Sequence, residues 1–142
     1  MQKDMHFYAI YALARAAGIK DSVANTVAYA SQFVDDAVDQ GVVFVSNRDA
    51  VLPTMTSHKP IDYQNAIPND QWQVWVPFHF LPGNQGERDD FYARMTCGKG
   101  GNPAARVLDN AVDGANAEFW PHLIGVAAHV FADTFSHYGF IG

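Results

Sequence analysis

Residues 122–137, His-Leu-Ile-Gly-Val-Ala-Ala-His-Val-Phe-Ala-Asp-Thr-Phe-Ser-His, constrain this chain more than any other stretch. His129, Asp133 and His137 stand four residues apart. On an α-helix each such step turns about 40° past a full turn, so all three share one face. His122, seven residues before His129, falls within about 20° of the same line. The residues between them are almost all apolar or small: Leu123, Ile124, Val126, Val130, Phe131 and Phe135. A solvated helix carries a broad polar face, so this one reads as buried, with a narrow polar stripe. Buried His and Asp are costly unless they are paired or bind a metal. The stripe is therefore a candidate site.

The chain has 142 residues, 49% hydrophobic and 17% charged, which fits one globular domain with a real core. A net charge of −6 argues against a broad grip on nucleic-acid backbone and a stable nucleic-acid complex. A nucleotide or phospholipid held at a metal is still compatible with it. The single cysteine, Cys97, excludes an internal disulfide framework and a thiolate zinc cluster. At the N-terminus Asp4, His6 and Arg15 break any signal-like apolar core, and no run is long enough to span a membrane. The expectation is a cytoplasmic protein, unless a dedicated secretion machine exports it.

The spacing predicts a first helix from about Asp4 to Ala17, stopped by Gly18. Asp21 or Ser22 caps a second helix that ends before Gly41. From Val42 to Gly86 the helical period disappears. Val42 to Val45 and Trp72 to Phe80 read as β-like or extended, separated by Pro53, Pro60 and Pro68. A short helix follows over Arg88 to Met95. The Cys97–Pro103 stretch reads as a flexible turn. Its GKGG lacks the following Lys-Ser/Thr of a phosphate-binding loop. Asn102-Pro103 opens a fourth helix that ends near Trp120, and Pro121 opens the striped helix. The expected architecture is mainly α: a multi-helix bundle with a long irregular insertion between the second and later helices, around a buried metal-binding core.

Three places supply partners for the stripe. His6 lies in an aromatic N-terminal helix, where by itself it reads as an ordinary partly buried histidine. Asp35, Asp36 and Asp39 crowd a helix C-terminus, where the dipole favours cations, so a compensating metal is expected. Asp39 reads as solvated, whereas Asp35 and Asp36 are open between a ligand role and a solvated end. His58 follows Thr56-Ser57, small polar residues that would present it. His79, between Phe78 and Phe80, reads more simply as a strand residue. His nitrogen and Asp oxygen without cysteine suit zinc or another first-row divalent ion. Two such ions can clamp a phosphodiester, and Asp133 is central enough to bridge them.

This order resembles the zinc-dependent bacterial phospholipases C and the fungal single-strand nucleases. The matching positions are His6, then Asp36 (or Asp35), then Ser57-His58 with Val76-Pro77-Phe78, then His129 with Asp133, then His137. The resemblance implies one to three zinc ions held by His6, Asp36, His58, His129, Asp133 and His137. Asp35 would act as an outer acid or general base, and the substrate would be a phosphoester or phospholipid. The chain also resembles, more closely and over almost its whole length, an uncharacterised bacterial family. That family opens with Asp-x-His-x-Tyr and carries Ser-Gln-aromatic-Val-Asp-Asp and Ala-Asp-Thr-aromatic-Ser-His. It brings no established activity.

The chain departs from the phospholipase pattern in three ways. It starts at Met1-Gln2 rather than a mature-terminus Trp, the gap from His129 to His137 is short, and the later ligand-bearing helix is absent. Residues 1–142 are thus expected to form a single α-helical domain, or the N-terminal portion of a larger one. A second chain or a homo-oligomer would complete it. The alternative to a zinc-dependent phosphodiester hydrolase is a non-catalytic interaction module, or the N-terminal half of a larger toxin or assembly. A His-Asp-dipeptide phosphohydrolase ranks low because no such dipeptide exists. Ferritin-like chemistry is rejected because Glu87 and Glu118 form no Glu-x-x-His pairs.

Overall fold

The computed structural model describes residues 3–46, 48–59 and 61–141, with the side chain of residue 65 also left aside. Pro60, one of the separators named above, lies outside the described residues. The fold is mainly helical. A π-helical segment, Asp4–Ala9, runs into α1, Ile10–Ala16, which stops before Gly18 at φ +84°. The long helices are α2, Asp21–Asp36, α6, Asn102–Asp113, and α7, Trp120–Ser136. Pro at the first turn of α6 and α7 suits a position that has no N–H to satisfy.

α7 packs against α2 and α6, and α1 against α2. The core is built from buried Ala24, Val27, Ala28 and Val34 of α2 and Ala127, Val130 and Ala132 of α7, together with Ile10, Ala14, Ala104 and Ala111. Small residues set the spacing. A Cβ on Gly125 would lie 2.4 Å from the Val27 carbonyl oxygen and 2.7 Å from the Ala30 Cβ. Glycine therefore lets the two backbones touch. One turn further along, His129 reaches Ser31. The two helices thus run side by side in the same direction.

Between α2 and α6 the chain is irregular. A two-stranded antiparallel ribbon pairs β1, Val43–Phe44, with β2, Ala50–Val51, in the register Val43 to Val51 and Phe44 to Ala50. The expectation of an extended Trp72–Phe80 is corrected. This stretch is helical, with α3, Pro68–Gln73, and α4, Trp75–Phe78. Pro68 starts α3, and turn bonds run from Val74 N to Asp70 O and from His79 N to Trp75 O. Burial of Val74 and Val76 overrides the strand preference of β-branched and aromatic residues. A short α5 spans Phe91–Met95.

The helix expected to run to Trp120 instead ends at Asp113, and Gly114 turns the chain beneath Leu123. The Cys97–Pro103 turn is tied down: Gly100 N–H donates to Thr134 Oγ1, and Cys97 exchanges backbone bonds with Phe140 and Gly139. No helix among the described residues is long and apolar enough to cross a membrane.

Candidate metal centre

Four segments converge on Asp133. α7 supplies Asp133 and His129, both with 0% exposure. The π-helical turn supplies His6, also fully buried. There the Ile10 N–H bonds back to Met5 O, five residues away, so the turn holds one residue more than an α turn. α2 supplies Asp35 from its last turn, and the residue after α4 supplies His79, 2% exposed. Asp133 Oδ1 lies 3.2 Å from His6 Nε2. Its Oδ2 lies 2.9 Å from His79 Nδ1 and 3.3 Å from His129 Nε2. Asp35 closes the other side, at 3.8 Å from His79 Nδ1, 3.9 Å from His6 Nε2 and 4.0 Å from His129 Nε2. His6 stacks on His129, with ring centroids 3.8 Å apart.

Backbone carbonyls decide which nitrogens face inward. His129 Nδ1 donates to the Ser31 carbonyl at 2.8 Å, and His79 Nε2 donates to the Thr56 carbonyl at 2.9 Å. A neutral imidazole carries one N–H, so His129 Nε2 and His79 Nδ1 are then bare acceptors. They face each other at 3.2 Å and both face Asp133. Burial pushes the His129 pKa down against the opposing pull of Asp133, which favours the neutral ring. Burial also acts to raise the Asp133 carboxyl. The facing imidazoles of His129, His6 and His79 outweigh it and hold the group well below the usual carboxylate range. His6 makes no hydrogen bond through either nitrogen among the described residues. Lone pairs and an ionised carboxylate packed together away from water are costly unless a cation lies among them.

The donor set fits such a cation. Tetrahedral ligands at about 2.0–2.1 Å from zinc stand roughly 3.3 Å from one another. The His6–Asp133, His129–Asp133 and His129–His79 separations are 3.2, 3.3 and 3.2 Å. Two groups have all their donor atoms within 4.8 Å of one another: His6, His129 and Asp133, and Asp35, His79 and His129. Carbonyls that orient ligating histidines are the usual outer support of a metal site.

Of the residues singled out in the sequence, His6, Asp35, His129 and Asp133 come together here. Asp36 is exposed on the other side of α2, 3.5 Å from Gln32 Nε2. His58 stands apart, paired with Asp70 and edge-on to Trp75. His137 lies just past the end of α7. Its Nδ1, 3.8 Å from Asp133, donates to the His79 carbonyl at 2.6 Å, and its ring stacks on Phe80. His122 is exposed at the start of α7, two turns from His129. His79 joins the cluster although a histidine between two phenylalanines reads as a strand residue. The Trp-Val-Pro-Phe-His run was the only signal for it.

Fold and site together define a mainly helical protein built around a buried His/Asp cluster centred on one carboxylate. The chain belongs to a family of unknown function, DUF6765, whose model matches residues 1–142. No curated protein and no solved structure matches it.

Proposed function

We propose that this protein is a divalent-metal hydrolase, with zinc as the preferred ion and phosphodiester or phospholipid bonds as its substrates. One observation carries the metal: two buried imidazole nitrogens, His129 Nε2 and His79 Nδ1, turned inward by the carbonyl bonds at their other nitrogens and set against the buried carboxylate of Asp133. The two donor groups share His129 Nε2, and a single nitrogen ligates a single ion. They would therefore serve as alternative cradles for one ion, held by His129 with His6 and Asp133 or with Asp35 and His79. A bound ion supplies a Lewis acid that lowers the pKa of water toward neutrality. Asp35, whose side chain is 18% exposed, sits at the open edge, where it can accept a proton from water. The hydrolytic part rests on this donor chemistry and on the resemblance to zinc phospholipases and nucleases.

The test is zinc content, together with hydrolysis of bis(p-nitrophenyl) phosphate and of phosphatidylcholine vesicles. The expected result is turnover that a chelator stops and that His129→Ala abolishes. A zinc-loaded protein inactive on both would contradict hydrolysis while sparing the metal site.

A second reading, a metal-stabilised interaction module, has its own support. An apolar groove of about 660 Å³ runs along α7, lined by Leu13, Leu108, Ile124, Phe131 and Phe135. Exposed apolar patches of this kind mark interaction sites. Self-association measured by sedimentation, without hydrolysis, would favour it. A monodisperse monomer at high concentration would count against it.

A further inference from the structure

Thr56 lies outside both donor groups, yet it touches two of the elements that carry them. Its hydroxyl donates to the Val34 carbonyl at 2.7 Å, and its N–H donates to the Ala37 carbonyl at 3.0 Å. These carbonyls belong to the end of α2, where the helix has no further N–H groups of its own to offer. Asp35 sits between them. The Thr56 carbonyl in turn accepts from His79 Nε2 at 2.9 Å, which leaves Nδ1 as the nitrogen facing Asp133. One buried residue thus holds the helix end that carries Asp35 and sets the tautomer of His79.

The short strap around it is fastened at its far end as well. Two residues on, buried His58 pairs through Nε2 with Asp70 in the first turn of α3. α3 leads directly into α4 and His79. The strap therefore closes a loop of contacts: the end of α2, Thr56, His79, α4, α3, Asp70, His58, and back to Thr56.

We infer that Thr56 is a positioning residue of the metal centre, which locks Asp35 and His79 into one ligating geometry, with the His58–Asp70 pair as its second anchor. This rests on the metal-binding reading above. Thr56 contributes no donor atom to the ion. It acts through the two residues that do, as the outer supports of metal sites commonly do.

The experiment measures zinc affinity by competition with a chromophoric chelator, and the visible absorption of the cobalt(II)-substituted protein. Wild type, Thr56→Val and Thr56→Ser are compared, each checked for fold by circular dichroism. Valine keeps the shape and removes the hydroxyl, so the Val34 carbonyl loses its partner. The expected result is zinc binding weakened about 10–100-fold in Thr56→Val. An altered cobalt spectrum should accompany it, and Thr56→Ser should restore both. A folded Thr56→Val with wild-type affinity and an unchanged spectrum overturns the inference. Where Thr56→Val does not fold, Asp70→Asn carries the test from the other anchor: weakened zinc binding supports the inference and wild-type binding overturns it. Failure of wild type itself to bind zinc or cobalt overturns the metal-binding reading, a result distinct from any of these.

Discussion

At the residue scale the centre is a matter of which atom points where. His129 and Asp133 were legible because a four-residue spacing in an apolar helix has one geometric meaning. Asp35 and Asp36 could not be separated by spacing alone. They point about 100° apart, and only the side on which α7 docks selects Asp35. His79 was illegible for a different reason. Its neighbours are aromatic, and its partner Thr56 is distant in sequence, so no local pattern betrays it. Removing it should matter nonetheless. His79→Ala is expected to weaken zinc binding more than Thr56→Val does, because a donor is lost rather than loosened; competition with a chelator reads the difference. Cys97 provides a second check. It is fully buried, and burial together with Asp133 pushes its thiol up to about 11. The thiolate is the reactive form. An aromatic disulfide reagent should therefore leave the native protein untouched and react once it is unfolded in denaturant. Fast labelling of native protein would show that the turn around Cys97 opens.

At the element scale the centre depends on how closely α2 and α7 approach. Both helices were legible from their periodicity and α7 from its Pro121, but the expected cap at Asp21 or Ser22 is corrected: Lys20 is the N-cap of α2, with no side-chain cap bond, and Asp21 is the first helical residue. The contact between them was not legible, because Gly125 in a helical run looks like a tolerated imperfection. In the structure it is the crossing point, one turn before His129. Gly125→Ala would gain intrinsic helix propensity but place a methyl against the Val27 carbonyl and the Ala30 methyl. The clash should win, at about 1–3 kcal/mol of lost stability. A thermal melt would register this as a lower Tm, and the zinc affinity should fall with it as His129 is pushed away from Ser31. An unchanged or raised Tm would mean that the helices can separate at no cost. The middle segment shows the opposite failure: Trp72 to Phe80 has strand-forming composition but folds as α3 and α4. Composition reports packing preference, and here burial of Val74 and Val76 against the rest of the fold decided the local structure.

At the scale of the whole molecule, the cluster ties together the N-terminal turn, the end of α2, the residue after α4 and the middle of α7. Such a centre should couple metal, protons and stability. In metal-free protein the unfolded chain takes up a proton at His129 near the ordinary value of about 6.5, while the folded chain, with its pKa pushed down, does so only at lower pH. The unfolded state thus binds more protons below that value, and stability falls as pH falls through it. Asp133 works in the same direction. Its contribution is present above the ordinary carboxylate value of about 3.9 and is lost as pH falls below it. Chemical denaturation of the chelator-treated protein should show stability declining from pH 7 toward pH 5 and again below pH 4. A flat profile would mean that the cluster is not buried as described.

The most direct measurement is the metal content of the protein as purified, by elemental analysis, with the melting temperature recorded before and after exhaustive chelation. Near-stoichiometric zinc or another first-row divalent ion is expected, with a clear fall in Tm on its removal and loss of the metal in His129→Ala. Protein that is metal-free as isolated, takes up no zinc or cobalt when they are supplied, and melts at the same temperature with and without chelator would contradict the metal-binding reading.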